Sequence, residues 1–60
     1  MSTWYSLPDD WPADEQIVWI RRTYWFSTAF LATFDLETFT FTSAEGAIIP
    51  WYEVARWKPQ

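Results

Sequence analysis

The chain has 60 residues, which is enough for one small domain and too few for two. It contains no cysteine and no histidine, which excludes disulfides, thiolate metal sites and the usual zinc ligands. Eight acidic residues against four basic ones give a net charge of −4. A protein that binds a nucleic acid strand needs clustered cations to neutralise phosphates, so we expect no such partner.

Membrane insertion and export are not expected from the sequence. No apolar run approaches the roughly 20 residues that a membrane-spanning helix needs. The N-terminus lacks the cationic start and the apolar core of a signal peptide. We therefore predict a cytoplasmic protein without a membrane partner.

The first 15 residues are rich in proline and tryptophan and predict an extended arm. Proline follows both Leu7 and Trp11, and a residue before proline is biased toward extended backbone. A single helical turn at residues 8–10 is the alternative, with proline at its start and acids near its positive end. We expect the arm to pack on a sheet, with Trp4 and Trp11 folded back over it.

The segment of residues 16–23 is predicted to form the first full strand, because it is short, rich in β-branched residues and bounded by polar residues. Its apolar residues alternate between the faces, with Val18 and Ile20 on one face and Ile17 and Trp19 on the other. Both faces are therefore apolar, as expected of a central strand covered on both sides or of a tightly curved barrel strand. Arg21 and Arg22 are adjacent, so we expect them to point to opposite faces instead of forming one basic patch.

The clearest period of two residues runs through residues 26–42 and predicts a β-hairpin. In the first strand, alternate residues would share one face: Phe26, Thr28, Phe30, Ala32 and Phe34. In the second strand, Phe39 and Phe41 alternate with threonines. Residues 35–37 supply the polar loop between the two strands. Because the hairpin holds all five phenylalanines, we expect it to form the core.

Two further strands are predicted after the hairpin. Gly46, the only glycine, stands where a hairpin loop needs a left-handed residue. Residues 47–49 form the returning strand, which Pro50 ends because proline cannot donate to the ladder. Residues 50–53 predict a 3₁₀ turn, and residues 54–58 predict the last strand. On that strand Val54, Arg56 and Lys58 share one face, and Ala55 and Trp57 share the other.

Together these elements predict one all-β domain over residues 1–60. Five short antiparallel strands would form a meander, either closed into an SH3-like barrel or left as a strongly bent sheet. One 3₁₀ turn would precede the last strand.

Scattered Trp, Pro and Leu positions carry a family resemblance. They are Trp4-Tyr-Ser-Leu-Pro8, Pro12, Val18-Trp19, Ala32, Ile49-Pro50-Trp51-Tyr52 and Trp57-Lys-Pro59. In this pattern the chain resembles small phage- and prophage-associated domains of unknown function that open with Trp-x-x-Leu-Pro. It departs from the family at Gln60, where the usual Pro-Leu-Pro ending is missing. The resemblance implies a small β-rich protein in a bacterial host cell, and it implies no activity, cofactor or functional residue.

Catalysis is not expected. General acid–base chemistry needs a group that titrates near neutral pH, and only carboxylates, tyrosines and one lysine are present. The spacing of Asp9, Asp10, Asp14 and Glu15 matches neither an EF-hand loop nor a known nucleophile motif. We interpret them as a solvated acidic face, and we predict no catalytic residue, no metal site and no cofactor.

The aromatic residues, 23% of the chain, are the candidates for binding. Rings at strand ends and turns can be half exposed, and an arginine beside them can meet a phosphate or a ring face. The predicted binding residues are Trp25, Trp51, Tyr52, Arg22 and Tyr5. The alternative is that these rings only fill the core and rim of a small domain.

Since Trp, Tyr and Arg carry many interface hot spots, we predict a non-catalytic module that binds another protein through an aromatic and acidic surface. In a phage setting this partner would be a host protein. The first alternative is a small planar ligand, such as a nucleotide, stacked on Trp and Tyr. The second is a structural domain that only self-associates. A homodimer or higher homo-oligomer is expected in each case because sheet edges must be covered.

Overall fold

The computed structural model of the protein describes residues 3–24 and 28–60. It contains six strands, namely β1 (Tyr5–Ser6), β2 (Ile17–Arg22), β3 (Phe30–Asp35), β4 (Thr40–Ser43), β5 (Ile48–Pro50) and β6 (Val54–Pro59). One 3₁₀ turn, Trp51–Glu53, precedes β6 as predicted. The all-β prediction is confirmed, although with one more strand than expected, because Tyr5–Ser6 pairs with β6.

The strands form a single antiparallel sheet in the order β1-β6-β2-β3-β4-β5. Only β2 to β5 form a meander, because β6 returns to lie between β1 and β2. Within the described residues β1 and β5 are the two edges, so the sheet is open and is not closed into a barrel. Of the two predicted shapes, the structure therefore has the bent sheet.

The sheet covers its own core by curving. Buried residues come from five strands and form one cluster: Val18, Ile20, Ala32, Phe34, Phe41, Ile49, Val54 and Trp57. A flat sheet would need a second layer to bury that many residues. The molecule instead measures 25 × 21 × 19 Å, so the concave face of the sheet encloses the cluster.

Only the concave face of β2 is buried, which corrects the prediction of a strand covered on both sides. Val18 and Ile20 are fully buried, whereas Ile17 is 49% exposed and Trp19 is half-buried. The reason is that one sheet curved around one core leaves its convex face without a covering layer.

The β3–β4 hairpin is longer at its turn than predicted. Phe34 pairs directly with Phe41, and both rings are fully buried with centroids 5.0 Å apart. Asp35 then pairs with Thr40, so the turn takes residues 36–39. Phe39 was expected on the strand, but it lies in this turn with φ 55° and is 46% exposed. The core pair fixes the register, and the residues beyond Asp35 must form the turn.

A β-bulge at Ala55 corrects the predicted faces of the last strand. Arg21 pairs with Arg56, but Arg22 pairs with Val54, so Ala55 is the extra residue. The extra residue reverses the alternation of faces. Val54 and Trp57, predicted on opposite faces, are therefore both buried in the core.

The segment before β2 crosses the concave side of the sheet. The Leu7 N–H donates to the Ala55 carbonyl at 3.3 Å, and the Trp57 Nε1–H donates to the Asp10 carbonyl at 2.8 Å. Leu7 and Trp11 pack against the core cluster. This segment closes part of the side that the open sheet leaves uncovered.

The loop between β4 and β5 uses the glycine as predicted. Gly46 has φ 89°, in the left-handed region, and its N–H donates to the Ser43 carbonyl at 2.9 Å. The Ser43 hydroxyl accepts from the Ala47 N–H at 3.1 Å. These bonds close a short loop at the end of the sheet opposite the β3–β4 turn.

Candidate binding site

Three aromatic side chains from separate parts of the chain form an open groove of about 200 Å³, lined by Trp11, Phe39 and Trp51. We call it the aromatic groove. Its rings meet edge to face: the centroid of the Trp11 ring lies 5.3 Å from that of Phe39 and 5.7 Å from that of Trp51. Trp11 also lies 5.9 Å from Phe34, so the groove is continuous with the core.

Backbone pairing sets the position of the groove. The Trp51 N–H donates to the Phe39 carbonyl at 3.1 Å, directly beyond the pairing of Thr40 with Pro50. This bond places the first residue of the 3₁₀ turn beside the last residue of the β3–β4 turn. The left-handed φ of Phe39 ends the strand there and leaves its ring half exposed instead of on a face of β4.

Trp11 is held from the other side. The residue after it, Pro12, is buried, and the backbone of residues 15 and 16 then joins the ladder of β3. The Glu15 N–H donates to the Phe34 carbonyl at 2.7 Å, and the Phe34 N–H donates to the Gln16 carbonyl at 2.9 Å. The segment is therefore fixed on both sides of the tryptophan, which makes the groove preformed.

Tyr52 extends the aromatic surface. Its ring is 66% exposed and lies 5.9 Å from the ring of Trp51, at an angle of 87°. An exposed ring beside an open aromatic groove can contact a ligand at little cost, since it has only two side-chain torsions to order.

The end of the sheet with the groove is acidic. The Asp14 Oδ1 accepts from the Leu36 N–H at 3.0 Å, and the Asp35 Oδ1 accepts from the Glu37 N–H at 2.9 Å, so these carboxylates surround the β3–β4 turn. Four of the eight acidic residues lie at this turn or beside the end of β3: Asp14, Glu15, Asp35 and Glu37. The arginines lie toward the other end of β2.

The predicted binding residues do not form one cluster. Trp51 and Tyr52 lie together at the groove. Arg22 forms an ion pair with Glu53 and lies 5.5 Å from the centroid of the Tyr24 ring. Tyr5 lies on the edge strand β1, 4.9 Å from the ring of Trp57, and Trp25 lies outside the described residues. Their roles in binding stay predictions.

Two groove residues, Trp11 and Phe39, were not among the predicted binding residues. Trp11 was expected to fold over the sheet, which placed it near the core without showing which rings it meets. Phe39 was assigned to a strand because it continues the period of two residues. Periodicity cannot show a left-handed φ, so the sequence held no clear signal for this ring at the groove.

A larger depression lies on the convex face. It has a volume of about 570 Å³, and its lining includes Ile17, Leu31 and Thr33 together with Glu15 and Gln60. These residues come mainly from the outward faces of β2 and β3. The depression is open and mixed in character, and it brings together no set of side chains with an evident chemistry.

Among residues 3–24 and 28–60 there is no group of three or more carboxylates that could hold a metal ion. The same residues include no helix long and apolar enough to cross a membrane. Comparisons of the chain with protein-family models, with curated proteins and with solved structures found no match. The resemblance to phage-associated domains therefore stays a prediction.

Proposed function

We propose that this protein is a non-catalytic binding module that docks a basic segment of a partner protein onto the aromatic groove. The observation that carries the proposal is the position of three preformed rings, Trp11, Phe39 and Trp51, at the acidic end of the sheet. The aromatic groove favours a partly apolar ligand, and the acidic residues beside it favour a cationic one.

Arginine and lysine side chains have that character. Their alkyl stems pack on apolar surface while the charged group stays near water. A cation within about 6 Å of a ring centroid gains roughly 0.5–1 kcal/mol when exposed and about 2 kcal/mol when desolvated. The acidic residues around the β3–β4 turn would attract such a segment and orient it before contact.

A small planar ligand fits the groove less well. Its volume of about 200 Å³ is below the roughly 300–1,000 Å³ typical of small-molecule sites. A nucleotide stacked there would also bring its phosphate to the acidic end of the sheet, where repulsion opposes binding. A single side chain of a protein segment suits the size of the groove better.

If the phage resemblance holds, the partner would be a host protein in the bacterial cytoplasm. A protein surface that normally binds nucleic acid is rich in arginine and lysine, which are both cationic and partly apolar. We therefore expect the partner to carry a surface of this kind.

The proposal is tested with an arginine octapeptide as the probe and a citrulline octapeptide, which is similar in shape but uncharged, as its control. Titration at low salt would follow the indole N–H signals by NMR. We expect the arginine peptide to shift the signals of Trp11 and Trp51 and the citrulline peptide to leave them unchanged.

Phe39→Asn removes one wall of the groove with little risk to folding, because asparagine tolerates the left-handed φ of 55°. We expect it to weaken binding of the arginine peptide about tenfold, which corresponds to about 1.4 kcal/mol. Leu36→Asn is the matched control, since Leu36 is an exposed residue of the same turn that does not line the groove. Equal affinity of Phe39→Asn and the parent protein would refute the proposal.

Self-association is a second candidate, favoured by the uncovered convex face. Ile17 is exposed, and Trp19 pairs with Leu31 on the same side of β2 and β3. A second copy could cover these residues. Sedimentation equilibrium over a range of concentrations tests it, and a mass of one chain throughout would exclude this candidate.

A further inference from the structure

A cluster of positive charge, opposite in sign to the acids around the β3–β4 turn, lies where β2 ends. Arg21 and Arg56 are direct partners in the antiparallel pair of β2 and β6. Side chains of direct partners project from the same side of a sheet, with Cβ atoms about 4.5–5.5 Å apart. Both arginines are exposed. The fold therefore brings together two positive charges that are far apart in the sequence.

This pairing has an energetic cost, since like charges directly opposite each other destabilise a sheet. The bulge at Ala55 follows directly after this pair. The extra residue Ala55 lets Val54 and Trp57 enter the core while Arg56 remains on the outer side next to Arg21. Bulges occur often beside functional sites, where they redirect a side chain.

The two arginines border an open depression of about 320 Å³. The residues that line it are Arg21, Arg22, Thr23, Tyr24, Ala55 and Arg56. None of these is acidic, and three of the four basic residues of an acidic chain are among them. Arg21 and Arg56 are direct partners on the outer side of the sheet, so their guanidinium groups are the two considered for a ligand. We call this surface the arginine depression.

We propose that the arginine depression binds a phosphate group between Arg21 and Arg56. A guanidinium group matches the oxygens of a phosphate with two parallel hydrogen bonds, and these charge-assisted bonds are stronger than neutral ones. A phosphate with two negative charges would also remove the repulsion between the paired arginines. This site is independent of the aromatic groove and goes beyond the proposed peptide binding.

The phosphate could be inorganic or part of a nucleoside monophosphate. The volume of the depression is at the lower end of the range for small-molecule sites, and the half-exposed ring of Tyr24 borders it. The Arg22 guanidinium lies over this ring, 5.5 Å from its centroid, so a base would contact the exposed part of the ring while its phosphate meets the arginines. Inorganic phosphate and adenosine monophosphate are therefore the two probes.

The first experiment measures the midpoint of urea unfolding in phosphate and in chloride at matched ionic strength. We expect phosphate to raise the midpoint of the parent protein, because a ligand that binds only the folded state stabilises it. Arg56→Gln should abolish the rise. In chloride this variant should be at least as stable as the parent protein, since the like-charge repulsion is gone, so loss of the response cannot be ascribed to misfolding.

Lys58→Gln is the matched control. It makes the same change of charge on the same strand, but Lys58 lies 4.9 Å from the centroid of the Trp4 ring and does not line the depression. We expect it to keep the full response to phosphate. Equal midpoints of the parent protein in phosphate and chloride would overturn the proposal. So would an equal response of the Arg56→Gln and Lys58→Gln variants, which would indicate a general effect of net charge.

NMR titration with the two probes then identifies the source of the phosphate. Equal affinities would assign the site to the phosphate group alone. Tighter binding of adenosine monophosphate that Tyr24→Leu reduces to the level of inorganic phosphate would assign it to a nucleotide. Either result supports the site, whereas no saturable shift with either probe overturns it.

Discussion

The aromatic groove and the arginine depression lie at opposite ends of β2 and are built in different ways. The groove gathers rings from a turn, a 3₁₀ turn and the segment before β2, joined by bonds such as that from the Trp51 N–H to the Phe39 carbonyl. The depression arises from strand register, which pairs Arg21 with Arg56. The net charge of −4 is therefore unevenly distributed, with acids beside the aromatic groove and basic residues at the arginine depression.

The two sites also differ in how they are coupled to stability. Trp11 and Trp51 pack against the core cluster, so the groove is a continuation of the core to the surface. Arg21 and Arg56 are exposed on the outer side of the sheet. We expect substitutions at the deep part of the groove to affect folding and binding together, and those at the arginine depression to affect binding alone.

The largest effect is expected from Trp11→Ala. The substitution removes ring contacts with Phe34, Phe39 and Trp51, and we expect a loss of about 2–4 kcal/mol in the free energy of unfolding. Urea denaturation followed by circular dichroism measures it. Trp4→Ala, at another half-buried tryptophan near the N-terminus, should lose less than about 1 kcal/mol. Equal losses would show that the groove is not tied to the core.

An intermediate effect is expected from Phe39→Asn, the variant that weakens peptide binding. The ring makes one edge-to-face contact with Trp11, worth about 0.5–1.5 kcal/mol, and asparagine recovers part of this by suiting the left-handed φ. We therefore expect the free energy of unfolding to change by less than about 1 kcal/mol. A loss as large as that of Trp11→Ala would mean that Phe39 serves folding first.

The smallest effect on stability is expected from Glu53→Gln, which breaks the ion pair with Arg22. Both side chains are partly exposed, so the pair should contribute only about 0.2–1 kcal/mol, and less at high salt. The variant should bind phosphate more tightly, because it removes a negative charge beside the arginine depression. Weaker phosphate binding in this variant would show that the ion pair is needed to shape the depression.

Local patterns predicted most of the strands. The period of two residues identified β2, β3 and the burial of Phe34 and Phe41, because alternation reports which side of a strand faces the core. The same rule failed at Phe39 and between Val54 and Trp57. Each failure comes from a single residue that departs from regular alternation, a left-handed φ in one case and a bulge in the other.

The candidate sites were less predictable than the strands. The sequence pointed to Trp51 and Tyr52 because rings near turns are often half exposed, and the structure places them together. It did not point to Trp11 as their neighbour, nor to Arg56 as the partner of Arg21. Both contacts join distant parts of the chain, and periodicity carries no information on which distant segments meet.

By itself, the sequence determined that this is a small all-β protein with a phenylalanine-rich hairpin, a 3₁₀ turn before its last strand, and no histidine or cysteine for metal or acid–base chemistry. Tertiary structure decided the insertion of β6 between β1 and β2, the bulge at Ala55, the pairing of Arg21 with Arg56, and the meeting of Trp11, Phe39 and Trp51 in the aromatic groove. The physical reason is that side-chain alternation is a local property, whereas register, curvature and long-range contacts are fixed by burying one shared core.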